Sequence, residues 1–386
     1  MILIFLSCLL LIPNSPGSAL CPRNIPQDFN QIVVQYGREI EEFDVVTDDG
    51  YILKLFHITG NESKQPVLLM HGLFDSADTF VIRGKSSLAL SLAEAGYDVW
   101  VGNSRGNKYC RRHVKLSPDL DKKEFWDFSF HEMGTLDLPA TIDFILEKTS
   151  KDQLSAIGHS QGNMIFFILG SLKPEYNKKI SILMALAPCV HLKHFPQYYT
   201  MTATLWPLIS AWYEGLGVEE VLPNRSALVE LVKFICKQEM FGYEFCINVI
   251  GAIIGDDPEE LEADFLNVAL EHFPCGTSRK NVEHFYQILM GPFAQLDYGM
   301  IKNRRLYKSS SPPKYKIPNV TMPVALLVGN NDLQSTIPDV KRLKHELPNV
   351  VYYHVLDRLN HADFVWGRHM QDYIVPVVKD LLNKFS

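Results

Sequence analysis

The sequence predicts an α/β fold with a mostly parallel central sheet flanked by helices, and two observations support this prediction. Short apolar runs rich in Val, Leu and Ile recur along the chain, and helical patterns separate them. Strands are expected at 66–71, 97–102, 154–158, 180–187, 324–329 and 351–356, and helices at 87–95, 138–149, 163–172 and 372–385. Strands of a parallel sheet are buried on both faces, so they read as continuous apolar runs rather than as alternating ones.

Two parts of the chain depart from this alternation. Residues 43–47 and 51–55 flank Asp48-Asp49-Gly50, which predicts an antiparallel hairpin ahead of the parallel strands. Between residues 189 and 310 the strand–helix alternation stops and aromatic residues are frequent. An insertion of helices between core strands is typical of a cap over an active site, although an ordinary helical subdomain with an aromatic core has the same pattern. We therefore expect core segments at 20–188 and 311–386, with a helical cap at 189–310 between them.

Composition limits the classes of function. The chain has 386 residues, long enough for one large domain or for two or three smaller ones. Its 47% hydrophobic and 21% charged residues are typical of a globular protein. The net charge of -7 and the absence of a basic run typical of nucleic-acid binding argue against a nucleic-acid partner.

The N-terminus has the pattern of a secretory signal. Residues 2–13 form an apolar core too short to span a bilayer, and Gly17-Ser18-Ala19 supplies the small residues of a cleavage site, so we expect cleavage after Ala19. A basic segment before the apolar core is missing, and a buried N-terminal strand is the alternative. Sequons at Asn61, Asn224 and Asn319 agree with secretion or a lysosomal location. No other stretch is long and apolar enough to predict a transmembrane helix.

Removal of the signal would leave six cysteines, at positions 21, 110, 189, 236, 246 and 275. Six cysteines allow fifteen pairings, and the sequence does not choose among them outright. Cys236 and Cys246 are the closest in sequence, which favours a disulfide between them. Cys189 lies at the end of an apolar run and is expected to be a free core thiol.

Ser160 stands at the centre of Gly158-His159-Ser160-Gln161-Gly162, between a predicted strand and a predicted helix. This strand–turn–helix pattern is the nucleophile elbow of an α/β-hydrolase. A serine hydroxyl is a poor nucleophile, so it must be held exposed beside a base, near backbone N–H groups that stabilise an oxyanion. As an isolated match, Gly-x-Ser-x-Gly is equally compatible with a structural turn.

The fold orders its catalytic groups as nucleophile, acid and base, which directs attention to the last two predicted strands. Asp332 follows the strand 324–329, and His361 follows the strand 351–356. Catalytic groups of open α/β sheets collect at such carboxyl ends, so we expect Asp332 to orient His361 and His361 to act as general base. The competing acids are Asp339 and Asp357, and the competing bases are His354, expected in the core, and His369.

An oxyanion hole requires two N–H donors. One is expected from the backbone of Gln161, directly after the nucleophile, and the other from the backbone of Leu73 in the loop after strand 66–71. A simple turn at the end of the strand is the alternative for this loop.

No metal ion or cofactor is expected, because hydrolysis by an activated serine needs neither. His191 and His194 would share one helical face, but no third ligand is evident. The acidic stretch 256–260 reads as a solvated helix start and lacks the spacing of a calcium loop.

Several stretches together resemble the acid lipase family, which includes gastric and lysosomal acid lipases and related insect lipases. The matching stretches lie at 48–53, 71–73, 96–107, 125–133, 137–143, 158–162, 185–188 and 360–364, and they span nearly the whole chain after the signal. Residues 96–107 (Gly-Tyr-Asp-Val-Trp-Val-Gly-Asn-Ser-Arg-Gly-Asn) are especially characteristic of the family.

The resemblance implies a glycosylated, secreted or lysosomal hydrolase of carboxylic esters, with a cap domain and a lid. Such enzymes cleave triacylglycerols or, in some members, cholesteryl esters. We expect the aromatic cap of this chain to move and to bind an oil–water interface. The family's triad corresponds to Ser160, Asp332 and His361, and its cap disulfide supports the pairing of Cys236 with Cys246. The chain departs from the family at Asn163, where a small or hydroxylated residue is usual, and the match is weakest across the cap.

The sequence therefore predicts a serine lipase of neutral lipids that works through an acyl-enzyme on Ser160. A soluble short-chain carboxylesterase is the alternative within enzymes, and a non-catalytic lipid-binding or storage protein is the alternative outside them. Peptidase and acyltransferase activities also occur on this fold, since a fold alone does not determine chemistry.

Overall fold

The structure, a computed structural model, describes residues 27–61, 64–224, 226–237, 240 and 242–385. The expected signal peptide, its cleavage site and Cys21 lie outside these residues.

Eight strands form one sheet. The strands are β1 (Ile40–Val46), β2 (Ile52–Ile58), β3 (Val67–Met70), β4 (Val99–Gly102), β5 (Leu154–His159), β6 (Ile180–Leu186), β9 (Val324–Gly329) and β10 (Val350–Leu356). Their spatial order is β1-β2-β4-β3-β5-β6-β9-β10. The pairs β1–β2 and β2–β4 are antiparallel, and all the others are parallel. The predicted α/β fold and its N-terminal hairpin are confirmed.

The central strands are buried on both faces, and their side chains alternate between two hydrophobic clusters. In β9, for example, Leu326 packs on one side of the sheet and Leu327 on the other. Every residue of β3, β4, β5, β6 and β9 is buried. Helices on both faces supply the other half of each cluster, which is why these runs are continuously apolar in the sequence.

The helices of the core are short to medium in length. They are α1 (Phe29–Gln35), α2 (Leu88–Glu94), α3 (Lys122–Phe125), α4 (Phe130–Glu132), α5 (Leu138–Thr149) and α6 (Gln161–Leu172), followed after the insertion by α13 (Ile337–Glu346), α14 (Asp363–Trp366), α15 (Met370–Tyr373) and α16 (Val375–Phe385). The single helix expected at 372–385 is thus two helices that meet at Ile374.

Between β6 and β9 the chain is mostly helical, as the loss of alternation indicates. The helices are α7 (Gln197–Gly215), α8 (Ala227–Ile235), α9 (Tyr243–Ile254), α10 (Ala263–His272), α11 (Arg279–Met290) and α12 (Met300–Leu306), with a small antiparallel pair of strands, β7 (Glu220–Val221) and β8 (Thr277–Ser278). A disulfide joins Cys236 at the end of α8 to Cys246 in α9. Trp206, Tyr213, Val221 and Val282 form a separate hydrophobic cluster in this segment.

Two local expectations are wrong. The acidic stretch 256–260 does not begin a helix; it is irregular and ends in a turn, and only part of it faces water, since Asp257 and Glu260 are 6% and 5% exposed. His354 is exposed rather than in the core, because β10 is the edge strand of the sheet. No helix among the described residues has both the length and the apolar character needed to cross a bilayer.

Candidate active site

Ser160 occupies the turn between β5 and α6 with a left-handed backbone conformation, at φ 52° and ψ −119°. Its N–H donates to the Leu186 carbonyl at 3.1 Å, which holds the strained turn against β6. A Cβ on Gly162 would lie 2.3 Å from the Met70 carbonyl oxygen, so only glycine fits where the helix start crosses β3. The elbow therefore presents the Ser160 side chain at the carboxyl ends of the strands.

A continuous chain of hydrogen bonds links the three residues that the sequence singles out. The Ser160 hydroxyl lies 2.8 Å from His361 Nε2, and His361 Nδ1 lies 2.9 Å from Asp332 Oδ2. Ser160 and His361 are 201 positions apart in the sequence and meet because β5, β9 and β10 end at the same edge of the sheet. All three are buried, with 8%, 6% and 5% exposure for Ser160, His361 and Asp332.

The backbone fixes Asp332 independently of His361. Its Oδ1 accepts hydrogen bonds from the N–H groups of Gln334 and Ser335, both at 2.7 Å. Its Oδ2 is thereby directed at His361 Nδ1, which must carry the proton of this hydrogen bond. His361 Nε2 is left with a free lone pair facing the Ser160 hydroxyl, which is the tautomer a general base requires.

The loop after β3 passes directly beside the nucleophile. A Cβ on Gly72 would lie 3.2 Å from the Ser160 Cβ, which places the following Leu73 N–H next to the elbow. Neither the Leu73 N–H nor the Gln161 N–H donates a hydrogen bond to another of the described residues. Two unpaired N–H groups on either side of a serine are the arrangement needed to hold an oxyanion.

His71 holds this loop in place. Its Nε2 accepts hydrogen bonds from the Ser104 N–H at 3.1 Å and from the Asn107 side chain at 3.2 Å, so Nδ1 carries the proton that is donated to the Gly72 carbonyl at 2.8 Å. Complete burial lowers the pKa of His71 to about 4, so the ring stays neutral in mild acid.

A second buried histidine, His159, contacts the backbone of His361. Its Nε2 donates to the backbone carbonyl of His361 at 2.9 Å. Burial, and then the nearby His361, lower the pKa of His159 to about 3, so this contact also persists in acid.

Helix α9 contributes contacts that sequence reasoning missed. The carbonyls at its C-terminal end accept hydrogen bonds from the loops that carry the triad: Ile254 from the His361 N–H at 3.1 Å, and Gly255 from the Asn360 side chain at 3.0 Å. The Ile253 carbonyl accepts from the Tyr199 hydroxyl at 3.2 Å, and Gln334 Nε2 donates to that hydroxyl at 3.1 Å. Since a helix leaves its last carbonyls without intrahelical partners, these donors complete the end of α9 and fix it to the site.

The acidic stretch after α9 packs against the same loop. Arg358 pairs with Asp257 and Glu259, and His369 Nδ1 lies 2.9 Å from Glu260 Oε1. The run of carboxylates at 256–260 is the feature of the sequence that indicates such a contact. The residues that pair with these carboxylates, Arg358 and His369, can be identified only from the tertiary structure.

The competing residues are not part of the chain of hydrogen bonds. Asp339 bonds to His194 at 2.9 Å and His369 bonds to Glu260, while Asp357 and His354 are exposed. His191 and His194 do not share a helical face; His191 pairs with Glu346 and His194 with Asp339.

Two residues in contact with the elbow set its surroundings. The Asn163 side chain donates to the Leu186 carbonyl at 2.7 Å, the carbonyl that also accepts from Ser160, so its amide stabilises the turn. Cys189 Sγ lies 3.8 Å from Ser160 Oγ, and complete burial raises the pKa of the thiol well above its ordinary value. Cys110, Cys189 and Cys275 are buried free thiols.

Two family models match the chain. The first, described as a partial alpha/beta-hydrolase lipase region, matches residues 29–84, and the second, described as the alpha/beta hydrolase fold, matches residues 65–227. Among solved structures, a soluble variant of monoglyceride lipase from Saccharomyces cerevisiae superposes with a TM-score of 0.52 at 15% identity, covering 95% of this chain and 99% of the other. That likeness concerns the fold alone.

Curated relatives are much closer in sequence. Human gastric triacylglycerol lipase is 38% identical over 385 residues, which cover 96% of this chain and 93% of the relative. Lipase 1 of Drosophila melanogaster is 36% identical, with 96% and 84% covered. A putative lysosomal acid lipase/cholesteryl ester hydrolase of Crotalus adamanteus is 35% identical, with 88% and 86% covered. The similarity extends over most of the length of this chain and of each relative. The chain therefore belongs to the acid lipase family of α/β-hydrolases.

Proposed function

We propose that this protein is a serine lipase that hydrolyses carboxylic esters of neutral lipids through an acyl-enzyme on Ser160. The observation that carries the proposal is the hydrogen-bonded chain from Ser160 through His361 to Asp332, with links of 2.8 and 2.9 Å. A lipid carrier has no need for a serine in a strained turn beside a correctly oriented imidazole and two free N–H groups.

The reaction follows from this geometry. His361 Nε2 takes the proton of Ser160 as the hydroxyl attacks the ester carbonyl, and Asp332 stabilises the imidazolium that forms. The N–H groups of Leu73 and Gln161 hold the oxyanion of the tetrahedral intermediate. His361 then protonates the departing alcohol. Water next attacks the acyl-enzyme: His361 takes a proton from the water and returns it to the Ser160 oxygen as the fatty acid leaves.

We propose that residues 189–310 act as a cap that opens at an oil–water interface. With at most 8% of any triad residue exposed, an acyl chain can reach Ser160 only after a covering segment moves. Helix α7 has a suitable surface: Met201, Leu205, Leu208 and Trp212 follow one another on one helical face and are 39–73% exposed. A group of large apolar side chains exposed together on one face is typical of a surface that binds lipid.

Triacylglycerols are the proposed main substrates, since gastric triacylglycerol lipase of human is similar over the whole chain. Cholesteryl esters are a second candidate, supported by the similarity to the Crotalus adamanteus protein.

The test compares emulsified long-chain triacylglycerol, emulsified cholesteryl ester and a soluble short-chain ester, with Ser160→Ala as control. We expect hydrolysis of the emulsions by the parent and none by the variant. Hydrolysis of the soluble ester alone would make the protein an esterase. A folded parent that cleaves none of the three would favour the carrier.

We further propose secretion or lysosomal delivery, with a signal cleaved after Ala19. Among the sequons, Asn319 is exposed and Asn224 is half-buried, and each donates its side-chain amide to a backbone carbonyl, that of Ser171 at 3.3 Å and that of Pro274 at 3.0 Å. The greater exposure of Asn319 leaves more room for a glycan, so we expect Asn319 to be the better acceptor of the two. N-terminal sequencing of protein secreted from eukaryotic cells should begin at Leu20, and peptide mass analysis should locate the glycans.

A further inference from the structure

The segment 299–316 has a charge opposite to that of the whole chain. It contains six Lys and Arg residues and no Asp or Glu, in a chain of net charge -7. The six cations are Lys302, Arg304, Arg305, Lys308, Lys314 and Lys316. We call this segment, which comprises α12 and the loop after it, the cationic platform.

All six cations are exposed and available. None of them has a carboxylate partner at ion-pair distance among the described residues. Lys302 lies over the Tyr298 ring at 4.0 Å and within electrostatic range of Glu283, with which it forms no ion pair, and Lys308 donates to the Arg305 carbonyl at 3.1 Å. Surface cations of globular proteins usually lie among carboxylates, and a group of six without any creates a local positive potential.

Apolar side chains are exposed on the same segment. Met300, Ile301 and Leu306 are 57%, 74% and 54% exposed, and they lie within one or two positions of the cations. Cations beside exposed apolar side chains are typical of segments that lie in the interface of a lipid surface, with the charges at the headgroups and the apolar groups below them.

Hydrogen bonds through Asn303 and Asp297 join the cationic platform to α11. Asn303 is fully buried and donates to Asp297 Oδ1 at 2.7 Å, and the Asp297 N–H donates to Gln287 of α11 at 2.7 Å. Met290, at the end of α11, is 57% exposed and borders a groove that α7 closes with Ala203 and Pro207. The groove lies between α7, which bears the apolar stripe of the proposed cap, and α11, to which the cationic platform is joined through Asp297.

We propose that the cationic platform binds the surface of lipid aggregates that carry net negative charge, and that it brings the cap to that surface. The inference deepens the proposed function, because lipolysis releases fatty acids whose ionised carboxylates would make the surface more anionic. A lipid surface fits better than a soluble anion, since the exposed Ile301 and Leu306 add nothing to the binding of a soluble anion.

The test measures co-flotation of the full-length Ser160→Ala protein with vesicles, so it does not depend on catalysis. Vesicles of phosphatidylcholine alone are compared with vesicles that contain 30% phosphatidylglycerol, at low and at high salt. We expect strong binding to the anionic vesicles, weakened by salt. Each cation near an anionic membrane contributes about fivefold to the partition coefficient, so replacing Lys302, Arg304, Arg305 and Lys308 by Gln should weaken binding at least 100-fold.

The matched control replaces four other exposed lysines by Gln, at positions 122, 123, 341 and 344, and should bind like the parent. A separate Ile301→Ser variant should bind less well to anionic vesicles but equally well to heparin, a soluble polyanion. Equal losses of vesicle binding in the platform and control variants would overturn the proposal. Equal binding of the parent to vesicles with and without phosphatidylglycerol would also overturn it. So would an Ile301→Ser variant that binds anionic vesicles like the parent. Thermal melting of each variant checks that it is folded. If vesicle binding behaves as expected while the parent hydrolyses no ester, the proposed function alone fails.

Discussion

Replacement of Asp332 by Asn should inactivate the enzyme by reversing the tautomer of His361. In the structure Oδ1 of Asp332 accepts from two backbone N–H groups at 2.7 Å, so the carbonyl oxygen of an Asn must take that place. The Asn amide then faces His361 Nδ1 as a donor, where the carboxylate Oδ2 now accepts at 2.9 Å. His361 would respond by carrying its proton on Nε2, which would leave no lone pair to accept the Ser160 proton.

The size of the loss follows from the chemistry that is removed. An inverted imidazole retains binding and the oxyanion hole but loses base catalysis, which in a serine triad costs about 10⁴-fold in kcat, or about 5.4 kcal/mol of transition-state stabilisation. The measurement is kcat and KM on a soluble ester, where binding to an interface plays no part. We expect the loss to appear in kcat and KM to stay within a few-fold.

Asp339 offers a matched control. It is 2% exposed and, like Asp332, it bonds both to a histidine ring and to a backbone N–H. Both the ring and the N–H belong to His194. Asp339→Asn should therefore perturb a similar local network and leave kcat within a few-fold of the parent. Losses of similar size in the two variants, or a loss below tenfold in Asp332→Asn, would refute the assignment of the acid.

Three further predictions concern the surroundings of the site. Gln334→Ala removes the side chain that ties the Asp332 turn to Tyr199 and α9 but keeps its backbone N–H, so kcat should fall about 3–30-fold with little change in KM; a parent-like kcat would show that α9 does not position the triad. Burial raises the pKa of Asp363 to about 8 from 3.8, so the folded protein holds a proton that the unfolded chain releases between these pH values, and stability falls as pH rises through that window. Asp363→Asn should therefore gain stability relative to the parent from pH 4 to 8, by up to about 1.4 kcal/mol per pH unit in urea unfolding, and a constant difference would contradict the assignment. Arg105 is 1% exposed and lies between Asp49 and Asp137. Arg105→Met should lower the free energy of unfolding by about 3–5 kcal/mol, because the buried Asp137 loses its partner. Arg105→Lys should lower it less, and equal losses in the two variants would argue against a charge effect.

The strands and the positions of the triad could be predicted because both depend on local patterns. Ser160 stands between glycines at a strand–helix turn, and Asp332 and His361 each follow an apolar run, so the order of elements alone brings them to one edge of the sheet. The same pattern predicted β9 at 324–329 with the bounds that the structure has.

The contacts of α9 could not be predicted in the same way. Tyr199 is 54 positions from Ile253, and Asn360 is 105 positions from Gly255, and no periodicity connects such pairs. The prediction for the acidic stretch 256–260 is wrong for the same reason: carboxylates usually face water, and only the tertiary structure supplies their partners Arg358 and His369. The prediction that His354 lies in the core is wrong because the sequence of β10 does not reveal that it is an edge strand.

The central claim is that Ser160 is the nucleophile, and covalent labelling tests it most directly. The protein is treated with an alkyl phosphonate p-nitrophenyl ester, and peptide mass spectrometry locates the adduct while residual activity is followed. We expect one phosphonyl group per molecule, on Ser160, with activity lost in proportion to labelling and no label on Ser160→Ala. An adduct on another residue that tracks the loss of activity, or full activity after Ser160 is labelled, would contradict the claim.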